Sequence, residues 1–200
     1  MARFIENPEK DADLAVRNAQ RNARRLEASV PKQIQEDEAL LPSLIPNSGT
    51  TPMEQLRELH RLSIAPYAAM QPFTACRHGC SLCCHYAVMV YPIEAELIAQ
   101  AIGQPPAAMP QARSDGHGKR CPFLTEEGRC GIYAVRPMAC RRHTMVTNSN
   151  YWCHPVRSHE RSFPLARLTG VDMAFQGVVA HDGRARPQDL RDIRDHFKLP

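Results

Sequence analysis

The chain of 200 residues contains no uncharged apolar run approaching the ~18 residues of a membrane span. Its first ten residues, Met1 to Lys10, carry charges of both signs and no apolar core segment, so they do not read as a secretory signal. Cysteine makes up about 4% of the residues, below the ~8–10% of scaffolds built from disulfides. Gly-rich phosphate loops, serine-nucleophile motifs, paired-acid constellations and zinc-protease histidine spacings are all missing, as are internal repeats and low-complexity tracts. These absences argue against a membrane role and a disulfide framework. The expectation is a reducing, cytoplasmic setting, where clustered thiols read as metal ligands or redox groups. Hydrophobic residues make up 43% of the chain, an ordinary supply for a core, so the cysteines are not needed to rescue one that is too small.

Charge is unevenly spread. The first hundred residues hold ten basic and twelve acidic side chains, the second hundred fifteen and nine, and most of the C-terminal excess is arginine. A nucleic acid or a phosphorylated small molecule would be attracted to that half. The plainer reading is a solvated surface with arginines that neutralise bound thiolates, and a nucleic-acid partner is only weakly supported by so modest an excess.

Periodicity predicts a helix over residues 8–30, with Ala12, Val16, Ala19, Ala23, Leu26 and Val30 on one stripe. Pro31 ends it, and a short helical segment is expected through Leu41. Residues 42–52, with three prolines and Asn47-Ser-Gly49, read as a linker. A further helix is expected from Pro52 to about Ala65. Residues 86–91 have strand-like composition, Ile93 opens a short helix that Gly103 stops, and residues 103–119 form a loop. Near the end, Pro187 opens a helix with Leu190, Ile193 and Phe197 on its apolar face. The predicted fold class is mainly α with irregular loops and little β. The domain plan is a helical N-terminal arm and linker (1–51), a small metal-organised cysteine-cluster domain (52–165) and a C-terminal extension ending in a helix (166–200).

All eight cysteines lie between Cys76 and Cys153. The first four form the run Cys76-Arg-His-Gly-Cys80-Ser-Leu-Cys83-Cys84, and the rest are Cys121, Cys130, Cys140 and Cys153. A two-residue step turns two thiolates toward one centre, and a three-residue step does so on one face of a helical turn. Zinc takes four such ligands in a tetrahedron, and an iron–sulfur cube takes four thiolates from positions far apart in sequence. Eight cysteines therefore suit two four-ligand sites, or one cluster plus one zinc. Adjacent side chains diverge, so Cys83 and Cys84 fit better on different metals or on separate irons of one centre. His78, His85, His143 and His154 each lie within three residues of a cysteine and are candidate ligands, or imidazoles that donate to sulfur. Arg136, Arg141 and Arg142 are candidates to offset thiolate charge, with a structural role the plainer reading.

The run C-x3-C-x2-C-C, followed by Cys121-Pro-Phe-Leu, Gly-Arg-Cys130-Gly-Ile-Tyr and Arg136-Pro-x2-Cys140-Arg, resembles the YkgJ-type cysteine-cluster family of zinc- or iron-chelating domains. That family is named for C-x2-C-x2-C-C, so the first spacing here departs from it by one residue. The resemblance covers about residues 76–154 and implies iron–sulfur or zinc binding through the eight cysteines, with no assigned reaction. A related block is similar to one in flagellin lysine methylases.

Two other readings share these residues. Cys76, Cys80 and Cys83 match the three-cysteine spacing of radical S-adenosylmethionine enzymes, but Leu82 stands where those favour an aromatic. The 116 residues after Cys84 also lack the alternating pattern of a βα barrel. Cys80-Ser-Leu-Cys83 as a redox dithiol would want a βαβ context that is not evident. The expectation is a metal-binding protein with all eight cysteines as ligands, iron–sulfur ahead of zinc, serving as a structural, sensor or electron-transfer module. The alternative is a metal-dependent group-transfer enzyme, such as a methylase-like or S-adenosylmethionine-using one. The partner would be an unidentified protein or small molecule.

Overall fold

The structure, a computed structural model, describes residues 9–77, 79–184, 186 and 189–198. It is mainly helical with one two-stranded sheet among the described residues. Helix α1 (Ala12–Ser29) starts at Asp11, whose carboxylate accepts the Leu14 amide at 2.8 Å, and stops where Val30 turns extended ahead of Pro31. Its buried stripe is narrower than the periodicity suggested. Ala15, Asn18 and Ala19 are buried, while Ala23 and Leu26 are only partly covered.

Helix α2 (Lys32–Leu44) runs beyond Leu41 through Pro42, so the first three residues of the predicted linker are helical. Helix α3 (Pro52–Leu62) has a full capping box, with Thr51 and Glu54 satisfying each other's backbone amides. Helix α4 (Ile64–Met70) follows directly at the buried Ser63, where a single helix to Ala65 was expected.

Helix α5 (Pro92–Ile102) ends, as its sequence indicates, at Gly103 in a left-handed conformation with φ 69°. Strand β1 (Met89–Val90) is shorter than residues 86–91. It pairs antiparallel with β2 (Arg191–Asp192), matching Met89 to Asp192 and Val90 to Arg191. The short helices α6 (Met138–Arg141) and α8 (Ile193–His196) complete this part. The expected terminal helix is thus a strand and one helical turn, and its proposed start, Pro187, lies outside the described residues.

Helix α7 (Thr169–Asp182) has no counterpart in the sequence reading. Gly170 and Gly177 weaken its propensity, yet they are what lets it approach α2. A Cβ on Gly170 would overlap the Glu38 carbonyl oxygen, and one on Gly177 would lie 2.6 Å from Pro46 Cγ. Glu38 also caps α7, its Oε1 accepting the Val171 amide at 2.9 Å.

One core layer joins Leu41 and Ile45, Leu56 and Leu59, Ile93 and Leu97, and Val171, Ala174, Phe175 and Val178, from α2, α3, α5 and α7 in turn. The opposite side of α5 presents Ala95, Ile98 and Ala99 to a second layer that contains cysteines. A helix buried on both faces reads as apolar all round, which is why α5 has so little polar sequence. Helix α1 lies beside a third cluster, where Ala19 packs with Met70, Val146 and Ala166. No helix among the described residues is long and apolar enough to cross a membrane.

Candidate metal centre

Short turns, not long elements, carry the cysteines, and backbone hydrogen bonds bring those turns together. Ala75 donates to the Met145 carbonyl at 2.7 Å, which sets Cys76 beside the His143 carbonyl, 3.9 Å from its Sγ. Gly79, at φ 83°, reverses the chain so that Cys80 closes a turn on Arg77 at 3.0 Å. Cys83 and Cys84 occupy a 3-10 turn (Leu82–His85), and the Cys84 carbonyl accepts the Cys121 amide at 2.8 Å. Between Cys121 and Cys130 the chain makes a tight reversal: Leu124 bridges Cys130, and Gly131 donates to the Phe123 carbonyl at 2.8 Å. Cys140 sits on α6, and Cys153 ends a 3-10 turn (Tyr151–Cys153) whose carbonyl accepts the Tyr86 hydroxyl at 2.7 Å.

All eight thiols are free. Cys121 and Cys153 are buried and the other six half-buried. They form two neighbourhoods. Cys80 and Cys83 raise the proton affinity of Cys76, and Cys76, Cys80 and Cys83 that of Cys153. On the other side Cys130 raises that of Cys121, Cys83 that of Cys130, and Cys83, Cys121 and Cys130 that of Cys140. Apolar packing divides them the same way. Cys84, Cys121, Cys130 and Cys140 join Val88, Val90, Ile132, Ile193 and Phe197, whereas Cys153 packs with Ala75 and Met145.

Burial pushes the thiols of Cys76, Cys121, Cys130, Cys140 and Cys153 above their ordinary range. Cys83 rises as well, first through its hydrogen bond with Cys84 and then through burial. Arg136 opposes this at Cys83, Cys130 and Cys140, and Arg194 opposes it at Cys121. Thiols this covered give up their protons to a cation and hold a bare thiolate poorly. In donor chemistry the set therefore fits a thiophilic metal. Among the described residues, however, no three His, Cys, Asp or Glu side chains converge to hold one ion as they stand. Rotation between χ1 wells moves a sulfur by about 3 Å.

The nearby imidazoles and guanidiniums separate by role. His143 meets Tyr86 edge-on, its Nε2 is buried without a partner, and burial lowers its proton affinity. His154 uses Nδ1 to accept the Val156 amide at 3.3 Å. His85 is half-buried in the Cys84 turn and accepts the Gly118 amide on its carbonyl at 2.7 Å, and His78 lies outside the described residues. Arg136 lies 4.1 Å over the Tyr133 ring, with its Nε buried and unpaired. Arg141 is a buried clamp: it donates to Ala134 O at 2.6 Å, to Arg136 O at 3.0 Å and toward His60 Nδ1 at 3.3 Å. Burial lowers its pKa to about 10, while burial and then Arg141 bring His60 down to about 3. Arg142 is exposed.

Three side chains that sequence reasoning missed hold the site in place. Arg194 reaches the carbonyls of Tyr86 (3.2 Å), Cys84 (3.4 Å), Arg120 (3.2 Å) and Lys119, and pairs with buried Asp192 at 2.9 Å. Asn150 donates to Cys80 Sγ at 3.5 Å. Glu94, fully covered, accepts the Tyr91 amide at 3.1 Å and the Met138 amide at 2.7 Å, tying α5 to the helix that carries Cys140. Arg194 and Asn150 reach the site's turns across 70 or more residues, and of the Glu94 bonds only the one to Tyr91, the box that caps α5, is local.

Residues 75–156, less than half of the chain, match the model of the family described as "CxxCxxCC: Putative zinc- or iron-chelating domain". No curated protein and no solved structure matches the chain.

Proposed function

Since residues 75–156 are a domain of the zinc- or iron-chelating CxxCxxCC family, we propose that the chain is a metal-binding module holding an iron–sulfur centre on its eight cysteines. The observation that carries this reading is the Cys83–Cys84 turn: the Cys84 carbonyl accepts the Cys121 amide at 2.8 Å and Cys84 packs with Cys121, Cys130 and Cys140, while Cys83 beside it repels thiols of both groups. A thiol common to both groups suits a polynuclear or paired centre better than two isolated mononuclear sites. Cys76, Cys80 and Cys153 would serve one side, Cys84, Cys121, Cys130 and Cys140 the other, and Cys83 the junction. An iron–sulfur centre supplies one-electron exchange when bound, which suits an electron carrier or redox sensor.

The chain's own residues have definable tasks in this reading. Arg136 and Arg194 offset thiolate charge, Asn150 donates to the Cys80 sulfur, and the His143 nitrogen left without a partner is available to the centre. Val88, Val90, Ile98, Ile132 and Phe197 keep water from one side. Hydrogen bonds to sulfur and an apolar shell are the levers that set potential and affinity.

Zinc is the second reading: with Cys83 assigned to the Cys76, Cys80 and Cys153 side the thiols divide four and four, and the domain would be a structural cross-link. Metal and sulfide analysis with an absorption spectrum, on protein purified without oxygen, separates them. Iron, sulfide and broad absorbance near about 400 nm support the cluster. Colourless protein with stoichiometric zinc overturns it in favour of the structural site.

A further inference from the structure

His117 and His159 bring their Nε2 atoms to 2.9 Å, and the Pro155 carbonyl oxygen lies 3.1 Å from His117 Nε2. We propose that these two imidazoles, with the Pro155 carbonyl beside them, bind one divalent transition ion at a site separate from the cysteines. His159 lies beyond the residues that match the family model, so the site would be a property of this chain.

The contact between the rings is a bent one. A straight N–H···N bond at this nitrogen separation points the rings at each other and puts their centroids about 5 Å apart. The centroids are 4.3 Å apart, with the planes inclined by 52°. The rings are therefore out of line with each other, as two rings bound to one ion would be. Two nitrogens each about 2.0–2.1 Å from one ion subtend roughly a right angle when they are this close. That is the cis arrangement of a tetragonal N,O site, which suits Ni²⁺ or Cu²⁺.

Protonation also leaves this corner unsettled. His117 Nε2 faces both an acceptor carbonyl and a second imidazole nitrogen, and a single proton cannot point at both. Pro155 O additionally accepts the Ser158 hydroxyl at 2.9 Å, which leaves it one further lone pair. A cation takes all three lone pairs together.

Both imidazoles are carried on pinned turns. Gly118 donates to the His85 carbonyl at 2.7 Å, and His117 stacks on Tyr86 with centroids 5.6 Å apart. On the other side, Arg157 and Ser158 both donate to the His154 carbonyl, at 2.9 and 3.0 Å. His159 is exposed and His117 half-buried, so an ion can reach them from solvent.

The test titrates Ni²⁺ into the full chain carrying the metal it holds as purified. Bound nickel is measured after rapid gel filtration, and broadening of the histidine ring signals is followed by NMR. One added equivalent is expected, with broadening at His117 and His159. His117→Ala and His159→Ala should each weaken it at least tenfold while leaving the as-purified metal unchanged. His159→Gln keeps a hydrogen-bonding group at an exposed position and should lose the nickel equally, without loss of stability. Absence of a saturable equivalent in the parent protein, or its survival in either alanine variant or in His159→Gln, overturns the proposal.

Discussion

Glu94→Gln is the substitution whose consequence follows most directly from the structure. The Glu94 carboxylate is 2% exposed and accepts two backbone amides, from Tyr91 and Met138. Burial outweighs those bonds and raises its pKa from 4.5 to about 7. The fold therefore favours the protonated acid. Below pH 4.5 both folded and unfolded chains carry the proton. Between 4.5 and about 7 the unfolded chain has lost it and the folded chain has kept it, so stability falls as pH rises through this window. At about 1.4 kcal/mol per pH unit, the loss amounts to about 3 kcal/mol once the folded group has ionised.

Glutamine is neutral throughout, keeps a carbonyl for the Met138 amide and gives up the second acceptor. Relative to the parent, its stability should rise by about 2.5 kcal/mol between pH 5 and pH 8. Urea unfolding of both proteins at several pH values reads this difference, in which the shared pH dependence of metal binding cancels. A difference that stays flat across the range would refute the reasoning and give Glu94 an ordinary carboxylate environment. Carbon-13 NMR of the Glu94 carboxyl should independently place its midpoint near 7.

Three further outcomes are expected. Cys83→Ser should lose more bound metal than Cys80→Ser by elemental analysis, because Cys83 neighbours both thiol groups and Cys80 only one; equal losses would contradict the shared role. Gly177→Ala should lower the urea midpoint by about 1–3 kcal/mol of stability, since its Cβ would meet the Pro46 ring at 2.6 Å and push α7 from α2; a stabilised variant would contradict that contact. Arg194→Gln should cost about 3–5 kcal/mol in the same assay, because it leaves buried Asp192 without its cation and frees the carbonyls of Cys84 and Tyr86.

The sequence alone carried the helical class and the cysteine-rich domain, because both are written in local patterns. Thr51, Pro52 and Glu54 mark a helix start within four residues, and Gly103 marks a helix end with one. The block order from Cys76 to Cys153 is likewise local, and residues 75–156 match the zinc- or iron-chelating family model. The same local rules failed at α7, whose glycines look like breakers until α2 is seen lying against them, and at the C-terminus, where pairing with β1 overrides helical periodicity.

What only the tertiary structure decided is how the thiols are grouped and what holds them. Spacing cannot say that Cys83 stands between two neighbourhoods, since that depends on turns from residues 75–85, 121–131, 138–141 and 151–153 meeting in space. Nor can it reveal Arg194, 110 residues from the Cys84 carbonyl it binds, or Glu94, 44 residues from the Met138 amide. Hydrophobic period and cap chemistry act over a few residues. Charge compensation, backbone clamping and the meeting of His117 with His159 act through space, where sequence distance imposes no pattern.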